Sequence, residues 1–184
     1  MSRNTVSRSL HDVGLAAWFG GTLANAVALN PAAAESDSPE RTGAVANVGW
    51  DRWTPVNAGA IGLHILGGVG LTGGNASRLA GQKGVASMAV TKTALTAAAL
   101  GVTAYSRVLG RRVSDRTDVP AESGTDPAPT TPDDVAAAQR QLRALQWAVP
   151  ALTGALLVVN AFAGEQQRPQ SVARGLVDRI TPGA

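Results

Sequence analysis

Ala148-Val149-Pro150-Ala151-Leu152-Thr153-Gly154-Ala155-Leu156-Leu157-Val158-Val159 decides how the chain is read. It sits within a stretch free of charge from Arg143 to Glu165. A bilayer core of ~30 Å is crossed by roughly 20 predominantly apolar residues in a helix. The stretch therefore reads as a transmembrane span without help from context. Three further charge-poor intervals lie upstream: Asp12 to Glu35, Arg52 to Arg78, and Lys92 to Arg107. The last is long enough only if Lys92 is taken inside a span from about Val85 to Ser106. Four spans follow, at about 13–30, 54–73, 85–106 and 144–164. The predicted fold is an all-α membrane protein, a bundle of about four transmembrane helices with a flexible loop before a long fourth helix.

Bulk composition hides this pattern. Of the 184 residues 45% are hydrophobic, and a mean hydropathy of +0.04 is close to that of a soluble chain. The apolar residues are mostly Ala and Gly, so each span inserts weakly on a scale where Leu, Ile, Phe and Val carry the favourable terms. A soluble Ala-rich bundle would need a charged stripe at helical spacing, and residues 53–77 have none. The net charge of +3 comes from arginines in loops and tails, without the basic, aromatic-laced face of a nucleic-acid binder. No cysteine is present, which removes disulfides, thiolate catalysis and cysteine metal sites. Arginine outnumbers lysine 14 to 2, a bias that fits a GC-rich bacterial genome.

Along the chain, residues 1–12 form a polar head and 13–110 a three-span membrane region. Residues 111–131 form a flexible polar linker, 132–164 a projecting and then transmembrane fourth helix, and 165–184 a polar tail. The first span is expected to break at Asn30-Pro31. It is read as retained rather than cleaved as a signal peptide, because Asp12 interrupts the basic start and the apolar run is too long. Residues 31–52 read as a polar loop, with Pro55 near the first turn of the second helix. The 73–84 connection is short enough to pair the second and third helices as antiparallel neighbours. Val119 to Thr130 reads as too polar and Pro-rich to pack. Thr131-Pro132-Asp133-Asp134 is a helix start, with Thr131 as N-cap. Ser171 to Ile180 suits either a short interfacial helix or a disordered tail. Basic residues divide almost evenly between the two sides, and the two arginines of the head favour cytoplasmic termini.

Polar residues at membrane depth are functional candidates by default. His64 stands mid-span, where a neutral imidazole suits metal ligation, a hydrogen bond to a quinone, proton relay or a hydrogen bond across the bundle. His11 is placed at a membrane boundary, half a bilayer from His64, so no second histidine is expected beside it and haem ligation by two histidines fails. Lys92 lies about two turns into its span and suits either snorkelling or pairing with Asn57, His64 or an acidic lipid headgroup. Asn25 and Asn160 read as hydrogen-bonding glue between helices, while Trp50, Trp53 and Trp147 read as interfacial anchors. Small residues four apart (Ala17 and Gly21, Gly70 and Gly74) allow close helix contact. No phosphate loop, acidic pair or nucleophile elbow occurs. No catalytic residue, metal or cofactor is implied.

His11-Asp12-Val13-Gly14-Leu15 with Trp18-Phe19-Gly20-Gly21, Tyr105-Ser106-Arg107 and Gln139-Arg140-Gln141-Leu142-Arg143 resemble small polytopic membrane proteins of unassigned function from actinobacteria. The resemblance supports four spans and a GC-rich bacterial genome and transfers no catalytic residue; the expected location of this multi-pass protein, read from the spans, is the cell inner (plasma) membrane. Two functions remain open. One is a non-enzymatic accessory, assembly or scaffold subunit of a larger membrane complex, a respiratory one among the candidates, with lipids and other membrane subunits as partners. The other is a small transporter or ligand-binding membrane protein using His64 and Lys92.

Overall fold

The charge-free stretches all fold as helices. In the computed structural model, which describes residues 4–116 and 119–165, four helices are long and apolar enough to cross a membrane. They are α1 (Thr5–Ala33), α2 (Pro39–Gly74), α3 (Val85–Ser114) and α4 (Asp133–Glu165). No strand occurs among the described residues. Each expected span lies inside one of these helices, and the protein is an all-α bundle of four. The tail from 165 onward, with the helix or coil expected over 171–180, falls outside the described residues beyond Glu165.

The helices outrun the bilayer. At ~1.5 Å per residue, the 36 residues of α2 extend ~54 Å, against a hydrocarbon core of ~30 Å. The loop expected at 31–52 is therefore mostly helix, and the chain turns between α1 and α2 in the few residues after Ala33. Ser38 caps α2 by accepting a bond from the Arg41 N–H at 3.4 Å, with Pro39 in the first turn and Glu40 facing the positive helix end. Pro55 is consequently interior to α2 rather than near its start.

The break expected at Asn30-Pro31 is also bridged. Asn25–Leu29 form a π-helical turn, which widens the ring at the point where Pro31 lacks an N–H and would crowd the carbonyl four residues back. The polar head expected over 1–12 is likewise helical from Thr5.

Neighbours are not those of a simple hairpin series. α1 packs along α2 and against α4, and α4 packs along α3, whereas α2 and α3 barely touch. The pairing expected across the 73–84 connection does not form. That connection holds a short helix, Ala76–Gly81, and then Gly84 at φ 83°, a left-handed conformation glycine adopts without strain. α2 is committed to α1 instead, through glycines. A Cβ at Gly67 would collide with the backbone of Ser7 and His11, one at Gly14 with the backbone of Ala60 and His64, and one at Gly70 with the Ser7 side chain. Close approach through small residues is how helices associate where lipid is as apolar as Leu.

Two apolar clusters result. Leu15, Trp18, Ala60, Ala99, Val149 and Leu156 form one in the middle of the bundle. Leu109, Val113, Val119, Val135 and Ala138 form the other, at the end where α3 stops and α4 begins.

The second cluster overturns the flexible linker. Val119, Ala121, Thr125 and Ala128 are buried. The Ala121 N–H donates to the Pro39 carbonyl at 2.9 Å, and the Gly124 N–H to the Asn30 carbonyl at 3.2 Å. Asp126 accepts from the Ser123 hydroxyl at 2.6 Å and from Arg143 at 2.8 Å. The polar residues satisfy one another and the backbone, so the segment packs as a cap despite its composition. Thr131 belongs to this cap: its hydroxyl donates to the Pro120 carbonyl. It does not serve as the N-cap of α4. Asp133 and Asp134 occupy the first turn as expected.

Four crossings set a test of sidedness. Ser77 and Glu122 are exposed at opposite ends of the bundle. On this cysteine-free chain, Ser77→Cys and Glu122→Cys are expected to react with an impermeant maleimide from opposite sides of sealed vesicles. Labelling of both from one side would remove the four-span topology.

Candidate functional site

His11 and His64 meet. Their ring centroids are 4.2 Å apart with planes tilted by 37°, where the sequence reading set them half a bilayer apart. The reason is that α1 begins at Thr5, so His11 is two turns inside a helix whose glycine contacts bring it alongside Gly67. Both rings are buried. His64 donates its Nδ1–H to the His11 carbonyl at 3.1 Å, since a carbonyl can only accept. His11 directs Nδ1 to the Asp12 carboxylate at 3.0 Å. Each ring is thus oriented by a second group, leaving its Nε2 as the free position. The edge of Trp18 closes one side of His64, at 6.2 Å between centroids. The rings are too near one another to take a haem between them. No group of three His, Cys, Asp or Glu residues is placed to hold a metal ion among the described residues.

Lys92 is half-buried and acts electrostatically on His11, His64 and Asp12. The antiparallel contact anticipated between Lys92 and His64 is not made as a bond among the described residues; the two are coupled only through charge, with Asp12 as the counter-charge. Replacing His64 by Leu removes one bond to a carbonyl that already serves the backbone ladder of α1. The expected loss is about 1 kcal/mol, read as a fall of a few degrees in thermal unfolding in detergent. A collapse of the fold would instead give the histidine pair a structural role larger than its bonds account for.

A second polar centre was not anticipated. Asn30, 2% exposed, donates its amide to Gln146 Oε1 at 2.7 Å and accepts from the Trp50 indole at 2.9 Å. Gln146 in turn donates to Thr125 of the cap at 3.3 Å. One amide joins α1, α2, α4 and the cap. The sequence signal was an asparagine at a supposed helix end, which reads equally well as a terminator.

Between α2 and α3, where those helices part, lies a cleft of about 300 Å³. Trp50, Trp53 and Asn57 line it from α2, Leu100, Thr103 and Arg107 from α3, and Gly124 and Thr125 from the cap. Arg107 pairs with Asp51 at 3.1 Å across its end. Trp53 packs its six-membered ring on Gly21, at a point where a Cβ would collide with it. Of the expected interfacial anchors, Trp50 and Trp53 therefore turn inward, while Trp147 is 51% exposed on α4. Asn57 is brought into the cleft and away from Lys92. Asn25 Nδ2 and both amide atoms of Asn160 are buried without a hydrogen-bond partner, so neither ties helices together by a bond among the described residues.

Gly21→Ala should push the Trp53 ring off α1, and the expected result is a shift of tryptophan emission with a loss of about 1–3 kcal/mol from overpacking. Unchanged emission would mean that the indole does not rest on Gly21.

Compared with protein-family models, with curated proteins and with solved structures, the chain finds no match.

Proposed function

We propose that this protein is a non-enzymatic accessory or scaffold subunit of a larger complex in the bacterial plasma membrane, with both termini cytoplasmic. The observation that carries the reading is the outer face of α3. Only 6% of its most apolar window is buried within the chain, and α4 is its one substantial neighbour. A helix facing lipid is normally furnished with Leu, Ile, Val and Phe. The exposed positions of α3 include Val90 and Val108 but also Ala94, Ala97, Ala98, Gly101 and Ala104, small residues that allow another helix to approach closely. Kinship with the small actinobacterial membrane proteins named above is part of the same proposal, as is membership of a respiratory assembly.

Gly101 supplies the test, since a side chain there would meet nothing within 4 Å in this chain. Gly101→Leu should leave the isolated protein as stable as before and remove co-purifying membrane subunits from mild-detergent extracts of the native host. A wild-type protein that runs alone in such extracts, with Gly101→Leu indistinguishable from it, would sink the proposal.

The cluster of His11, Asp12, His64 and Lys92 favours a second reading, a small transporter or ligand-binding protein working through His64 and Lys92. It requires Lys92→Leu to abolish uptake or binding in a protein that still folds. Retained partner binding in that variant separates the two readings.

A further inference from the structure

The residues that wall the cleft between α2 and α3 carry polar atoms that nothing among the described residues satisfies. Trp53 Nε1 and Asn57 Oδ1 on α2, and Thr103 Oγ1 and Arg107 Nε on α3, are all buried without a hydrogen-bond partner, and all four residues line the cleft. Each pair is spaced four residues apart, so it projects from one face of its helix. Asn57 is 9% exposed. Native proteins seldom leave one such atom unsatisfied, and each instance calls for an explanation. All four belong to residues that wall one opening, and small side-chain turns would present them to an occupant there.

The chemistry of the occupant follows from the inventory. Three of the four atoms can donate: an indole N–H, a hydroxyl and a guanidinium N–H. One, the asparagine oxygen, accepts. The Arg107 charge is balanced by Asp51 at 3.1 Å, so a full negative charge on the occupant is not required. Most of the remaining surface is apolar, with Ile61, Leu100, Leu142 and Val149, and Asn47, Thr125 and Gln146 line it as well. A volume of about 300 Å³ stands at the lower end of small-molecule sites.

We propose that the cleft binds one lipid-soluble carbonyl compound, its apolar body between α2 and α3 and its oxygens accepting from Trp53, Thr103 and Arg107. A bulky phosphate headgroup does not fit this set, since it would need a cation that is not already paired. The site is separate from the His64 cluster, and the inference does not depend on the partner-subunit reading. Two sources share the chemistry, a membrane quinone and the carbonyl of an acyl ester.

The experiment is thermal unfolding of the purified full chain in mild detergent with three probes: a decyl-substituted benzoquinone, methyl decanoate, and decane as the carbonyl-free control. At a hundredfold excess over Kd, a bound probe should raise the melting temperature by about 5 °C or more. At least one carbonyl probe is expected to do so and decane is not. The quinone responding identifies a quinone site, and the ester responding identifies an acyl lipid. Thr103→Val removes one donor at nearly constant volume and should weaken binding roughly tenfold. Gly110 also lines the cleft, and a side chain there would meet nothing within 4 Å. Gly110→Leu should therefore fill the space and abolish the shift while the unliganded melting temperature holds. Silence from both carbonyl probes overturns the proposal. So does an equal response to decane, or undiminished binding by Gly110→Leu.

Discussion

Gly67→Leu is expected to separate α1 from α2 and to leave little folded protein. A side chain at Gly67 would run into the backbone of Ser7 and His11, and backbone cannot rotate aside as a flexible side chain can. Overpacking costs about 1–3 kcal/mol in ordinary cores and more where the neighbour is rigid. The expectation here is at least ~3 kcal/mol, a large part of a total stability of about 5–15 kcal/mol. The same change would prise His11 from His64, because both rings are held at this crossing. Gly62 is the control on the same helix. A Cβ there would meet nothing within 4 Å, and replacing a helical glycine gains about 0.5–1 kcal/mol in helix stability. Gly62→Leu should thus hold or raise the yield of monodisperse protein in detergent, while Gly67→Leu should lower it sharply. Equal behaviour of the two variants would show that α1 does not cross α2 at Gly67.

What could be read from the residues was the number and place of the long apolar helices, because a run without charge is a local property. What could not be read was which helices touch. That depends on where small residues on one helix meet small residues on another, and a chain with 21 glycines offers many equivalent matches. His11 illustrates the consequence. A span starting near Val13 leaves it at the boundary, whereas the helix starts at Thr5, and the crossing that brings it to His64 depends on a different helix altogether. The extension of α2 was legible in principle, for Ser38-Pro39-Glu40 is the same kind of start signal as Thr131-Pro132-Asp133. The Pro, Ser and Asp around it are equally the residues of a loop, and composition alone favours the loop. The cap over 119–131 failed for a related reason: Asp126 and Ser123 look solvated when their partners, Arg143 and the local backbone, are not yet known. Of the proposed site residues, His64, Lys92 and Asn57 were found as polar groups inside spans. The cleft around Asn57 was not, because a gap between two helices leaves no periodic trace.

Asn30→Leu is expected to loosen the capped end of the bundle and leave its middle intact. The substitution strands two groups at once, the Trp50 indole N–H and Gln146 Oε1. An unpaired buried group costs about 1–3 kcal/mol, and partial access to water at this end places the sum near ~3 kcal/mol. The loss should be uneven. Amide exchange at Ala121 and Gly124, whose N–H groups bond to Pro39 and Asn30, should accelerate strongly. Exchange around Leu15, Trp18 and Leu156, which form the other apolar cluster, should change little. Asn30→Asp separates chemistry from packing: its carboxylate still accepts from Trp50, and the Gln146 amide can turn to donate to it. That variant should recover more than half of the lost stability. Because Gly124, Thr125 and Gln146 also wall the cleft, Asn30→Leu should weaken any probe bound there, although Asn30 itself does not line it. Uniform acceleration of exchange along the whole chain would mean instead that Asn30 supports the global fold and that the cap has no separate stability.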